Sequence, residues 1–207
     1  MQKKLFKDIL AEHEETIEQI RQKAHYLHQN VNQTYGDGLP YGYHLDMVAA
    51  YAAEYGHHVC SNADDVVPLF FGAFYHDSIE DARQSYNDVK RQALQHMTDE
   101  QALTATEIVY ALTNDKGRTR AERAGEKYYA GIRNTPFAPF VKLCDRMANV
   151  AFSCSDNDHF NHHMKEVYRQ EMPHFLEAIS THSADPRFSI PEEMVDALWK
   201  CIGCQET

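Results

Sequence analysis

The feature of this sequence that most constrains its fold is a strongly apolar run that ends in charged residues. Residues 66–75 (V-V-P-L-F-F-G-A-F-Y) carry no charge, and N-A-D-D at 62–65 supplies candidate N-cap residues for a helix. The next six residues, H-D-S-I-E-D at 76–81, contain one histidine and three carboxylates. Because charged groups are costly in a protein interior unless they are paired or bind a metal, this junction requires a chemical explanation.

The spacing of apolar residues predicts helices along the whole chain. Residues 34–43 (T-Y-G-D-G-L-P-Y-G-Y) hold three glycines and a proline, so they are predicted to form a loop. No period-two alternation with hairpin signals is present, and no internal repeat. The sequence therefore predicts a single all-α domain. Its helices are expected at about 3–28, 44–55, 66–82, 85–97, 99–113, 119–132, 137–154, 158–181 and 191–202.

Composition and charge narrow the class of protein. With 207 residues, of which 43% are hydrophobic and 25% charged, the chain suits one soluble globular domain. A net charge of −11 argues against a nucleic-acid polymer as partner, but leaves room for a small phosphorylated ligand in a locally basic pocket. No membrane span and no signal peptide are predicted. Five cysteines without the spacing of a disulfide framework favour a reducing, cytoplasmic location.

The charged junction itself suggests a metal site. If the helix continues through residue 82, His76 and Glu80 lie four residues apart, as do Asp77 and Asp81, so each pair shares a neighbouring face. Arg83 is the nearest basic residue in the sequence, and one cation cannot balance three carboxylates. A divalent metal is the simpler partner for this group.

Two further ligand candidates lie elsewhere in the chain. His44 begins a predicted helix directly after the glycine-rich loop, and Asp145 interrupts an apolar helical face in F-V-K-L-C-D-R-M-A-N-V (140–150). Two histidines and two carboxylates leave coordination positions open for water or substrate, as in catalytic metal sites. The spacing alone supports an alternative equally well, in which a buried ionic network links Asp77 or Asp81 to Arg146.

Four stretches, in the same order along the chain, resemble the HD-domain metal-dependent phosphohydrolase superfamily. L-P-Y-G-Y-H (39–44) is similar to x-P-Y-x-x-H, and H-D-S-I-E-D (76–81) to H-D-x-x-E-D. V-K-L-C-D-R-M-A-N (141–149) resembles V-K-L-A-D-[RK]-x-x-N, and A-L-T-N-D-K…R-A-E-R (111–123) matches the corresponding stretch of the stand-alone small alarmone hydrolases of the RelA/SpoT type. The resemblance covers about residues 20–155.

The resemblance implies a fold and an activity. It predicts one HD-domain helical bundle over 1–207, with the motifs in about 20–155 and added C-terminal helices at about 158–202. The implied activity is metal-dependent hydrolysis of a phosphate ester or pyrophosphate on a nucleotide, with guanosine tetraphosphate and its pentaphosphate relative as the leading substrates and a 3′-pyrophosphate as the group removed.

The resemblance also assigns roles to particular residues. The family's metal is commonly Mn(II), and its ligands fall on His44, His76, Asp77 and Asp145. Glu80 and Asp81 fall on the acids that orient or deprotonate the attacking water, and Asn149 on a substrate-contacting asparagine.

Three positions depart from the family pattern in the part of the site that contacts the base and ribose of the nucleotide. Tyr35 stands where the family has an Arg or Lys that meets the nucleotide, and Ala151 and Phe152 replace a basic and a polar residue. These changes favour a second prediction, a general nucleotide phosphohydrolase. A third prediction is a non-catalytic metal-containing regulatory or binding protein, against which the retention of Glu80 and Asp81 argues.

Several polar stretches remain. Lys142 and Arg146 flank Asp145 and are candidate substrate contacts, together with Tyr35 and Asn149. The basic run K-G-R-T-R-A-E-R (116–123) is either a phosphate contact or a solvated helix start. For H-F-N-H-H (159–163) and C-I-G-C (201–204) we expect structural or incidental roles rather than metal sites.

Overall fold

The computed structural model describes residues 1–114, 119, 122, 125–155 and 162–203. This part of the chain contains ten α-helices, three short 3-10 helices and one two-stranded hairpin, which confirms the predicted all-α fold. None of the helices described combines the length and the apolarity needed to cross a bilayer. The helices are α1 (Lys3–Glu12), α2 (Glu14–Asn30), α3 (Gly42–Tyr55), α4 (Val66–Tyr75), α5 (Tyr86–Ala93), α6 (Asp99–Leu112), α7 (Glu126–Arg133), α8 (Ala138–Ser153), α9 (His162–Ile179) and α10 (Glu192–Cys201).

Helices α4 and α8 form the centre of the bundle. Every residue of α4 is buried, as the apolar run predicted, and α4 packs against α2, α3, α6 and α8. Asn62 caps the 3-10 turn that leads into α4 by accepting a hydrogen bond from the Asp64 N–H (2.8 Å). Helix α8 contacts α3, α6, α7, α9 and α10 as well. The residues that follow α4 therefore emerge beside α3 and α8 in the interior.

The predicted helix over 3–28 is divided in two at His13, whose backbone (φ −101°, ψ 10°) departs from helical geometry. Both halves contact α4, but α1 also packs against the 3-10 turn Gly56–His58, whereas α2 also packs against α3. Phe6 of α1 fills the space above Gly56, where a Cβ would lie 2.7 Å from its ring. The continuous helix was wrong because one straight helix cannot present its apolar residues to both places.

The predicted loop at 34–43 contains a short antiparallel hairpin, β1 (Thr34–Tyr35) and β2 (Leu39–Pro40), with Tyr35 opposite Leu39. Its turn uses Gly36 (φ 54°) and Gly38 (φ 102°), which adopt positive φ without the steric cost other residues meet. Strands of two residues are too short to show alternation, so the sequence pattern did not reveal them.

Helix α4 ends at Tyr75, so the prediction that it continues to residue 82 is wrong. Residues 76–82 form consecutive turns instead. In a regular helix Asp77 and Asp81 would lie on one face, where like charges four residues apart repel. In these turns Glu80 bonds Asn114, which follows α6, and Asp81 bonds Gln33, which follows α2.

The remaining predicted helices lie where expected, with ends displaced by a few residues. The first part of the helix predicted at 119–132 lies outside the described residues, apart from 119 and 122, and α7 begins at Glu126. Phe137, which precedes α8, has a left-handed backbone (φ 66°), and its N–H donates to the Arg187 carbonyl (2.6 Å). This contact joins the start of α8 to the segment that leads into α10.

The close approach of α4 and α6 predicts a large effect for one glycine. A Cβ at Gly72 would lie 2.6 Å from Cγ2 of the buried Ile108. Gly72→Ala should therefore force the two helices apart and lower the free energy of unfolding by about 1–3 kcal/mol, measured by urea denaturation followed by circular dichroism.

Gly131 in α7 is the matched control, because it is also helical but has no atom within 4 Å of a built Cβ. Gly131→Ala should raise the free energy of unfolding by about 0.5–1 kcal/mol, since alanine has the higher helix propensity. Equal effects of the two substitutions would contradict this account of α4 packing.

Candidate metal centre

Three helices bring together three of the four predicted ligands, and the fourth, Asp77, lies beside this group without belonging to it. His44 lies in the first turn of α3, His76 follows directly after α4, and Asp145 lies in the middle of α8. Both imidazoles are buried, with 1% of each residue exposed, and 13% of the Asp145 side chain is exposed. These three residues form a group whose ligand atoms lie within 4.8 Å of one another, so the group could hold a metal ion.

The separations of the ligand atoms match those around one ion. His44 Nε2 lies 3.3 Å from His76 Nε2 and 3.3 Å from Asp145 Oδ1. Asp77 Oδ2 lies 2.8 Å from His76 Nε2 and 3.8 Å from His44 Nε2. Two ligands at about 2.1 Å from one ion are about 3.0 Å apart at a right angle and about 3.4 Å apart at the tetrahedral angle. The observed distances bracket these values.

The protein fixes which ring nitrogen of His76 faces this centre. His76 Nδ1 lies 2.9 Å from the Ala73 carbonyl oxygen, so Nδ1 carries the hydrogen that it donates and Nε2 faces His44. Two Nε2 atoms facing each other at 3.3 Å repel unless a proton or a cation lies between them. This arrangement, with a backbone carbonyl orienting the imidazole, is the usual environment of a metal-bound histidine.

Asp145 is held by two donors. Its Oδ2 accepts from Lys142 Nζ (2.9 Å), and its Oδ1 accepts from Asn149 Nδ2 (2.6 Å). Burial by itself would raise the pKa of Asp145, but the Lys142 ammonium and the two histidines hold it well below its usual range. The carboxylate is therefore ionised, as a metal ligand must be.

The two residues next to each other after α4 have opposite pKa shifts. Burial lowers the pKa of His76, but the Asp77 and Asp145 carboxylates outweigh this effect and raise it to about 9. For Asp77, burial is outweighed by the charge and hydrogen bond of His76, which lower its pKa. In the protein without metal, a proton on His76 therefore supplies the positive charge that the carboxylates require.

Glu80 and Asp81, the predicted catalytic acids, lie on the wall of the same cleft. Both oxygens of Glu80 accept from Asn114 Nδ2 (3.1 and 2.8 Å), and Asp81 Oδ2 accepts from Gln33 Nε2 (3.3 Å). Burial, followed by the charges of Asp77 and Glu80, raises the pKa of Asp81 to about 6. A carboxylate with this pKa can exchange a proton near neutral pH.

The cleft has a volume of about 620 Å³, which suits a nucleotide-sized ligand. One wall carries the metal group and the two acids. Tyrosines, basic groups, two asparagines and one acid line the rest: Tyr41, Tyr128, Tyr129, Tyr168, Lys142, Arg146, His174, Asn114, Asn149 and Glu171.

The four predicted substrate contacts have internal partners in this structure. Tyr35 donates from its hydroxyl to Asn149 Oδ1 (3.0 Å) and stacks on the His44 ring (4.8 Å between centroids). Lys142 is bonded to Asp145, as described above. Arg146 pairs with Glu171 (2.9 Å) and lies against the rings of Tyr168 and Phe175.

These contacts also show whether the alternative buried ionic network, which would link Asp77 or Asp81 to Arg146, is formed. Arg146 pairs with Glu171, whereas Asp77 bonds Tyr41 and His76. The network linking Arg146 to Asp77 or Asp81 is therefore not the one formed. The ion pair at the centre joins Lys142 to Asp145.

Three residues of the site were missed by the sequence reasoning. Tyr41 donates from its hydroxyl to Asp77 Oδ2 (2.5 Å), Gln33 contacts Asp81, and Asn114 holds Glu80. Tyr41 and Asn114 lie inside the quoted motifs 39–44 and 111–123, which was a usable signal. Gln33 had no such signal in the sequence, because only the tertiary structure brings it next to Asp81.

Other predicted stretches lie partly outside the described residues. This applies to the basic run 116–123 except positions 119 and 122, to 159–161 of the histidine-rich stretch, and to Cys204. The neighbouring Cys201 carbonyl accepts a hydrogen bond from Cys154 Sγ (3.2 Å), which is a contact between α10 and the end of α8.

Comparison with protein-family models gives no match for this chain, and comparison with curated proteins gives none. Conclusions about function therefore depend on its own residues and geometry.

The clustered ligand atoms predict that the protein binds one divalent cation. After removal of metal by a chelator, titration with Mn(II) in a calorimeter should give one site per chain. His76→Ala should weaken this binding by more than about 100-fold, because it removes a ligand and not only an orienting contact.

His182→Ala is the control, since His182 is exposed and lies outside the group of ligands. It should bind Mn(II) as the unaltered protein does. Stoichiometric binding of equal affinity by His76→Ala would show that the ion is held elsewhere.

Proposed function

We propose that this protein is a metal-dependent phosphohydrolase that removes a phosphate or pyrophosphate group from a small nucleotide. The observation that carries this proposal is the pair of facing imidazole nitrogens of His44 and His76, set between largely buried carboxylates on the wall of a nucleotide-sized cleft. A purely structural metal site would be closed by protein ligands, whereas this one borders open space.

The ion would be held by the two histidines with Asp77 and Asp145, and Mn(II) is the proposed metal from the family resemblance. When bound, a divalent cation supplies a Lewis acid that polarises a phosphoryl oxygen and lowers the pKa of water. Tyr41 keeps Asp77 Oδ2 in place by its hydrogen bond, and Lys142 does so for Asp145 Oδ2. These contacts orient the ligands before a substrate arrives.

The proton chemistry falls to Asp81 and Glu80. A water molecule that attacks phosphorus must lose a proton, and Asp81, with its pKa raised to about 6, is the proposed acceptor. Glu80, with both oxygens held by Asn114, is proposed to orient that water. The bond from phosphorus to the leaving oxygen then breaks, and the leaving oxygen takes up a proton.

The leading specific substrate is guanosine tetraphosphate, with release of its 3′-pyrophosphate, because the motifs resemble those of the alarmone hydrolases. A second candidate, a general nucleotide phosphohydrolase, is favoured by one contact. Tyr35 and Asn149, which the resemblance assigns to the nucleotide, are bonded to each other. With its net charge of −11, the chain is proposed to act on a small cytoplasmic nucleotide and not on a nucleic-acid polymer or at a membrane.

A nucleotide panel with added Mn(II) separates these candidates. Release of pyrophosphate from guanosine tetraphosphate is the expected result, and activity confined to simple mononucleotides would favour the general phosphohydrolase. Asp77→Ala should abolish turnover in either case. If Asp77→Ala retains full activity, the proposed metal mechanism is wrong.

Substitution of the two acids separates catalysis from metal binding. Glu80→Gln and Asp81→Asn should each lower kcat by about 10²–10⁴-fold while Mn(II) content is unchanged, because neither residue is a proposed ligand. Glu12→Gln, an exposed acid at the end of α1, is the control and should retain full kcat. If the unaltered protein binds metal but hydrolyses no nucleotide of the panel, the non-catalytic regulatory role is favoured.

A further inference from the structure

The two oxygens of Asp145 have different surroundings. Oδ2 accepts from Lys142 Nζ (2.9 Å), whereas Oδ1 is the oxygen that lies 3.3 Å from His44 Nε2. The hydrogen bond from Asn149 Nδ2 (2.6 Å) is made to that same Oδ1. Asn149 therefore orients the oxygen that faces the two histidines.

The Asn149 amide is held at both ends: its Nδ2 also donates to the Asp145 backbone carbonyl (3.0 Å), and its Oδ1 is held by Tyr35. Asn149 Oδ1 accepts a hydrogen bond from the Tyr35 hydroxyl (3.0 Å), which leaves Nδ2 to face Asp145. A tyrosine hydroxyl is protonated at neutral pH and is available as a donor. If the amide were reversed, its oxygen would lie against the Asp145 carboxylate, and two acceptors at such a distance repel each other.

Tyr35 is held rigidly enough to act in this way. Its ring lies between the rings of His44 (4.8 Å) and Phe152 (4.6 Å). The next residue, Gly36, is so close to Phe152 that a Cβ there would lie 2.7 Å from its ring. The hairpin is thus packed onto α8, and the Tyr35 hydroxyl reaches a residue 114 positions along the chain.

We propose that Tyr35 is a positioning residue for the metal ligand Asp145. Its hydroxyl fixes the Asn149 amide, and the amide holds Asp145 Oδ1 toward His44 and His76. This differs from the sequence-based expectation that Tyr35 and Asn149 contact the substrate. The inference rests on the metal centre of the proposed function, but it does not depend on hydrolysis.

Tyr35→Phe tests the proposal, because it removes the hydroxyl and keeps the stacked ring. Mn(II) affinity of the metal-free protein, measured by calorimetry without substrate, should fall about 10–100-fold, as when other orienting contacts of metal ligands are lost. The circular dichroism spectrum and the Tm of the metal-free variant should match those of the unaltered protein. Tyr43→Phe is the matched control: Tyr43 lies next to Tyr35 and Phe152, and its substitution should leave Mn(II) affinity unchanged.

A double-mutant cycle tests whether Tyr35 affects Mn(II) binding through Asn149. Asn149→Ala alone should also weaken Mn(II) binding about 10–100-fold, and Tyr35→Phe added to it should change the affinity by less than about 2-fold. If the two losses multiply instead, the Tyr35 hydroxyl affects Mn(II) binding independently of Asn149, and the proposal is overturned.

The remaining outcomes are equally decisive. If Tyr35→Phe leaves Mn(II) affinity unchanged and raises KM, Tyr35 contacts the substrate. This result would overturn the positioning role of Tyr35 but not the proposed function. Absence of Mn(II) binding by the unaltered protein would overturn the metal centre, and the proposed function and this inference with it.

Discussion

The structure depends on one electrostatic requirement: ionised carboxylates in the interior must face a positive charge. Asp77 and Asp145 both have pKa values below the usual range despite burial, and each is held beside His44 and His76. Desolvation of such a group costs several kcal/mol unless a cation or a set of donors offsets it. A proton on His76 meets this requirement without metal, and a divalent ion meets it with more charge at the same place.

The packing of the helices places the carboxylates and the histidines next to each other in the interior. Helix α4 is buried along its whole length, so the residue after its last turn emerges in the interior rather than in solvent. Helices α3 and α8 cross that point and present His44 and Asp145 to it. The same burial raises the pKa of Asp81 to about 6, so the packing that isolates the ligands also adjusts the acid beside them.

If the ligand is phosphorylated, as proposed, charge balance explains why a cation is needed. The cleft wall carries Asp77, Glu80, Asp81 and Asp145, and the ammonium of Lys142 is already bonded to Asp145. Phosphate oxygens approaching such a wall meet repulsion unless an additional positive charge lies between them and the carboxylates. In the proposed mechanism a bound divalent ion would provide that charge beside the phosphoryl group. The Tyr41 hydroxyl bonds Asp77 and the Tyr35 hydroxyl bonds Asn149, and neither contact adds a further charge.

The sequence by itself determined the helical class, the buried α4, and the candidate ligands His44, His76, Asp77 and Asp145, because apolar periodicity and side-chain chemistry are local properties. It did not determine that α4 stops at Tyr75, where Glu80 and Asp81 turn to partners that follow α6 and α2. It also gave no sign that Tyr35 and Asn149, both predicted substrate contacts, bond each other across 114 residues. Only the tertiary structure decided these points, because a hydrogen bond between distant segments depends on how the helices pack and leaves no periodic signal in the chain.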